Sequence, residues 1–161
     1  MKNKKTAKTT AWALFILYCA VMLYLLLFRR LISCGSDLAS LAQPDYASAL
    51  AERFEPYPLR TITEFVGRVG SISISDLAFR NLAGNVVLFI PAGVFLPLLF
   101  RRQRRFPVFL PTFAGIICII ELTQMFTLLG SCDIDDVLLN TAGACAGFAV
   151  YRLTRPRTDH S

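Results

Sequence analysis

The apolar positions of this chain gather into four long runs, separated by short charged segments and one long mixed stretch. Residues 11–28 (AWALFILYCAVMLYLLLF) hold no charge over 18 positions. At ~1.5 Å per helical residue, that is just enough to cross a hydrocarbon core of ~30 Å. Residues 82–100 form a second uncharged run, interrupted by Pro91 and Pro97. Prolines are tolerated inside membranes where neighbouring groups satisfy the freed carbonyls. Residues 106–129 form a third run whose one charge is Glu121, and residues 137–151 form a fourth. The pattern predicts an all-α membrane protein with about four transmembrane helices, over about 11–28, 82–100, 106–129 and 134–153. Residues 1–10 and 154–161 are left as polar tails around a membrane domain of residues 11–153.

The mixed stretch, residues 29–80, holds six Arg and six Asp or Glu. Within it, residues 45–55 read as a short helix with Tyr46, Leu50 and Phe54 on one side, ended by Pro56 and Pro58. Residues 59–70 mix apolar and charged positions, as an interfacial helix or a solvated loop would. A cleaved signal peptide is the rival reading of the first run, since Leu31-Ile32-Ser33-Cys34 resembles a lipoprotein box. The run exceeds a usual signal core, and Arg29-Arg30 stand between it and that box, so a retained span is expected.

Composition agrees with a bilayer as solvent. Hydrophobic residues make up 55% of the 161 positions and charged residues 17%, with a mean hydropathy of +0.53. A net charge of +6 would suggest nucleic acid in a soluble chain. Here the basic residues flank the apolar runs, and no nucleic-acid-binding motif accompanies them, so no nucleic-acid partner is expected. Lys2, Lys4, Lys5 and Lys8 precede the first run. Arg101, Arg102, Arg104 and Arg105 divide the second from the third, and Arg152, Arg155 and Arg157 follow the fourth. The loop after the third run carries only acids. Basic loops stay cytoplasmic, which places both termini inside and the acidic turn and the 29–80 loop outside.

Polar residues inside spans are costly and point to function by default. Asn81 and Asn85 share a face at the start of span two, and Glu121 and Gln124 share one late in span three. Asp133, Asp136 and Asn140 run into span four, and Gly143 and Gly147 continue that stripe. The fourth run covers only ~22 Å as a helix, so its helix should start earlier and draw Asp135 and Asp136 toward the interface. The expected topology sets these side chains at one depth, in an outward-facing polar pocket between spans two, three and four.

Three readings of that pocket compete. Amides, acids and small residues hold membrane helices together. The acids could bind a ligand or a divalent cation, with Asp133, Asp136 and Glu121 as candidate metal ligands. A buried Glu121 could share acid and base work with a neighbouring carboxylate. No nucleophile elbow or phosphate loop is present, and the lone His160 lies beside the C-terminus. Of five cysteines, Cys19, Cys118 and Cys145 lie in apolar runs. Cys34 and Cys132 are both expected outside and could pair.

Asn81-x-x-Gly84-Asn85 followed by Leu88-Phe89-Ile90-Pro91-x-Gly93 resembles the most characteristic stretch of the VanZ-like family of bacterial membrane proteins. Glu121-x-x-Gln124 is similar to that family's next motif. The run from Asp133 through Asp135, Asp136, Asn140 and Thr141 to Gly143 is similar to its acidic signature. Pro58-x-Arg60-Thr61-Ile62 looks like its Pro-Phe-x-Thr-Ile element, with Leu59 in place of Phe. The Arg that often precedes the acidic signature is replaced here by Gly130-Ser131-Cys132. The resemblance covers residues 54–151. It implies a multi-pass protein of the bacterial cell membrane that acts on the envelope and lowers susceptibility to the glycopeptide teicoplanin. It supplies no catalytic residue and no cofactor. Expected partners are membrane lipids, with a cell-wall precursor or the glycopeptide itself at the pocket. A membrane enzyme acting on a lipid-linked envelope substrate and a structural interaction module remain the alternatives.

Overall fold

A computed structural model describes residues 2–28, 48, 50–51, 54–55, 77–127 and 132–154. The stretch 59–70, read as an interfacial helix or a solvated loop, and Cys34, which could pair with Cys132, lie outside these residues. Four long helices dominate: α1 (Lys2–Leu23), α2 (Leu77–Leu99), α3 (Phe106–Phe126) and α4 (Ile134–Thr154). The all-α expectation is met.

Two stretches, Thr6–Leu26 and Phe106–Phe126, are long and apolar enough to cross a membrane by length and composition. Ala83–Leu99 is a shorter apolar helix. Burial separates these from the core helices of a soluble protein. Only 6% of the first apolar window and 22% of the second is buried. Ile16 and Leu17 are about as exposed as Ile119, at 63%, 62% and 65%. Fully burying one such side chain is worth ~1.5–3 kcal/mol, so water is a poor solvent for these faces and acyl chains a good one. The exposed threonines fit the same solvent. Thr112 donates to the Val108 carbonyl and Thr123 to the Ile119 carbonyl, each at 2.7 Å, so neither hydroxyl is left unmet on an apolar face.

The chain folds as two compact units. The first comprises Met1–Pro58 and Ile116–Ile134. Here α1 starts at Lys2, within the segment the pattern reads as a tail, and passes into a π-helical turn at Tyr24–Phe28. The residues read as the end of a 45–55 helix do something else. Phe54–Glu55 forms a two-residue strand, β1, parallel to β2 (Cys132–Asp133), with Phe54 opposite Cys132 and Glu55 opposite Asp133.

The second unit comprises Leu59–Gly115 and Asp135–Ser161. Its centre is an aromatic stack. Phe109, fully buried, lies 4.8 Å from Phe148 and 5.9 Å from Phe113 between ring centroids. Phe113 in turn meets Phe89 edge-on at 5.8 Å. Contacts in this range add ~0.5–1.5 kcal/mol beyond the area they bury. In this unit α2 and α4 run in the same direction, because Val86 then Ile90 meet Gly143 then Gly147. The first half of α3 runs the opposite way, since Phe113 faces Phe89 while Phe106 and Phe109 face Phe148.

Candidate functional site: the polar head of the α2–α4 pair

Glycine sets how closely α2 and α4 approach. A Cβ at Gly93 would overlap the Ala144 carbonyl, one at Gly143 the Val86 carbonyl, and one at Gly147 the Ile90 carbonyl. Backbone lies against backbone along this seam, as small residues at four-residue spacing allow in membrane helices. Gly84 and Gly115, by contrast, face open space.

Upstream of the glycines the same two helices carry polar groups. Asn85 on α2 donates through its side-chain amide to the Asp136 carboxylate on α4. Asp135 and Asp136 stand in the first turn of α4, which begins at Ile134, ahead of the bare apolar run as its shortness requires. The unsatisfied N–H groups of a helix start favour acids at that position, so their placement has a structural cause of its own. Asp135 is 1% exposed and Asn140, one turn further on, 4%. The Oδ1 of Asn140 and the Oγ1 of Thr141 are buried with no hydrogen-bond partner among the described residues. A buried acceptor left unmet costs ~1–3 kcal/mol, so this turn of α4 suits a polar guest. Asn81 lies in α2, but its side chain is outside the described residues.

The first unit holds the remaining acids and amides. Gln124, 1% exposed, donates through Nε2 to the Leu26 carbonyl at 3.0 Å. Leu26 lies in the π-helical turn, where the regular carbonyl ladder is disturbed. Glu121, one turn earlier on α3, is buried at 4% exposure. Asp133 ends β2. Among the described residues no three His, Cys, Asp or Glu side chains gather as a metal ion would require.

Sequence reasoning named both partners of the Asn85–Asp136 bond and the Gly143/Gly147 stripe. It missed the Leu26 carbonyl, because a backbone acceptor leaves no trace in residue type. It also missed Arg104, whose Nε donates to the Pro97 carbonyl at 3.2 Å and closes the C-terminal end of α2.

The family model described as VanZ/LLP1 matches residues 15–155. Protein VanZ of Enterococcus faecium is 35% identical over 79 residues. That alignment takes in 47% of this chain and 47% of the relative, so the chain covers about half the length of the curated protein it matches. No solved structure matches the chain.

Proposed function

Given that the chain belongs to the VanZ/LLP1 family, a family of membrane proteins, we propose that it acts at the bacterial cell envelope and lowers susceptibility to glycopeptides of the teicoplanin type. In this reading both termini are cytoplasmic, and the polar head of the α2–α4 pair opens outward. Asn85, Asp136, Asp135 and Asn140 form the ligand-contacting group, with Asn81 beside them on α2. The ligand is an envelope precursor or the glycopeptide, both rich in hydroxyl and amide groups that such side chains can bind. Glu121, Gln124 and Asp133 form a second polar set, in the other unit, and are tested separately.

The observation that carries this reading is the Asn85–Asp136 bond beside the unmet Oδ1 of Asn140. The test is expression of wild type, Asp136→Asn, Asn140→Leu and Asn85→Ala in a teicoplanin-susceptible host. Wild type should raise the inhibitory concentration, and each substitution should reduce that rise at equal membrane abundance. An undiminished rise in all three would remove these residues from the mechanism.

A second reading is favoured by the glycine seam. The polar group serves only to assemble helices, and substitutions then lower abundance and activity in proportion.

A further inference from the structure

The turn between α2 and α3 carries chemistry that the reading above does not use. Residues Arg101–Arg104 form one 3-10 turn, and α3 begins at Phe106. Arg104 is committed to the Pro97 carbonyl. Arg101, Arg102 and Arg105 are exposed. No Asp or Glu occurs between Asp76 and Glu121, so the sequence flanking this turn carries no acid. The amino end of α3 adds its partial positive charge at the same place.

Two open grooves adjoin this turn. One, of about 450 Å³, is lined by Arg101, Arg102, Arg105 and Val108. The other, of about 430 Å³, shares Arg101 and Arg102 but continues along Leu96, Leu99 and Phe100. Guanidinium groups at the end of an apolar wall match a molecule with an anionic head and a hydrocarbon tail. Guanidinium forks bind phosphate oxygens in pairs. A free phosphate would satisfy the arginines and leave Leu96, Leu99 and Phe100 uncovered. A lipid satisfies both.

We propose that this turn is a binding site for an anionic phospholipid, with Arg101, Arg102 and Arg105 on the head-group phosphate and an acyl chain along Leu96, Leu99 and Phe100. The site stands on the membrane character of the family and is independent of the polar head of α2 and α4.

The test uses the full chain purified in detergent, with phosphatidylglycerol, phosphatidylcholine or inorganic phosphate added. Lipid retained is read by native mass spectrometry, and melting by circular dichroism. Wild type should retain phosphatidylglycerol over phosphatidylcholine, and salt should weaken that preference. Replacing Arg101, Arg102 and Arg105 by Gln should lower phosphatidylglycerol affinity about five-fold per residue. The Lys triple variant should keep most of it. Salt-insensitive retention by wild type would overturn the proposal without any variant. So would an unchanged preference in the Gln variant, or inorganic phosphate alone raising the melting temperature as far as the lipid does.

Discussion

Asn85 hydrogen-bonds the carboxylate of Asp136, joining two helices whose bonded residues stand 51 positions apart in the chain. The bond is directional: the amide N–H of Asn85 donates and the carboxylate of Asp136 accepts. Reversing the chemistry should therefore matter more than removing it. Asn85→Asp sets a second carboxylate against the first, and should destabilise the protein by about 1–3 kcal/mol. Adding Asp136→Asn restores an amide opposite an acid and should recover most of that loss. Melting of the purified single and double variants in detergent reads both effects, and a double variant no better than the single one would argue against a direct bond.

The glycine seam makes a sharper contrast. Alanine at Gly93, Gly143 or Gly147 drives a methyl group into a backbone carbonyl, which has no side-chain freedom to yield. Each should cost about 1–3 kcal/mol as overpacking. Alanine at Gly84 or Gly115 meets open space, and should change stability by less than about 1 kcal/mol, in the favourable direction if helix propensity dominates. Parallel thermal denaturation of the five variants separates the two classes.

Phe109 is fully buried among Phe106, Phe113 and Phe148. Phe109→Ala should cost about 3–5 kcal/mol, while Phe109→Leu should cost markedly less. A Phe109→Ala protein that melts with wild type would mean the stack does not hold the second unit together.

Gln124 ties α3 to a carbonyl of the π-helical turn in the first unit. Interhelical bonds of this kind average about 0.6 kcal/mol in membranes, with values up to about 1.7. Gln124→Met keeps the volume and loses the donor, so a loss in that range is expected. Gln124→Glu also loses the amide donor and adds a charge, so it should cost more than Gln124→Met.

The long elements were legible because a bilayer imposes one demand, a run of uncharged residues, that nothing else in the chain satisfies. The early start of α4 was legible for the same reason, since its apolar run is too short to span alone. Asn85 and Asp136 could be matched by depth before any contact was known. Other features left no such mark. The parallel pairing of Phe54–Glu55 with Cys132–Asp133 is made by backbone groups of two residues each, too short to show alternation. The helical start at Lys2 falls where polar residues suggest a tail, although Lys is a good helix former. The commitment of Arg104 to Pro97, unlike its exposed neighbours, depends on local geometry within a run of near-identical charges.

The close pairing of α2 with α4 also constrains the order of assembly. The ribosome releases α2 first, then α3, and only then the partner that α2 requires. Until α4 emerges, Asn85 has no Asp136 to meet, and the groove along Val86, Ile90 and Gly93 stays unfilled. Biogenesis of this protein thus includes an interval in which Asn85 is without its Asp136 partner, and α4 acts as the latch that ends that interval.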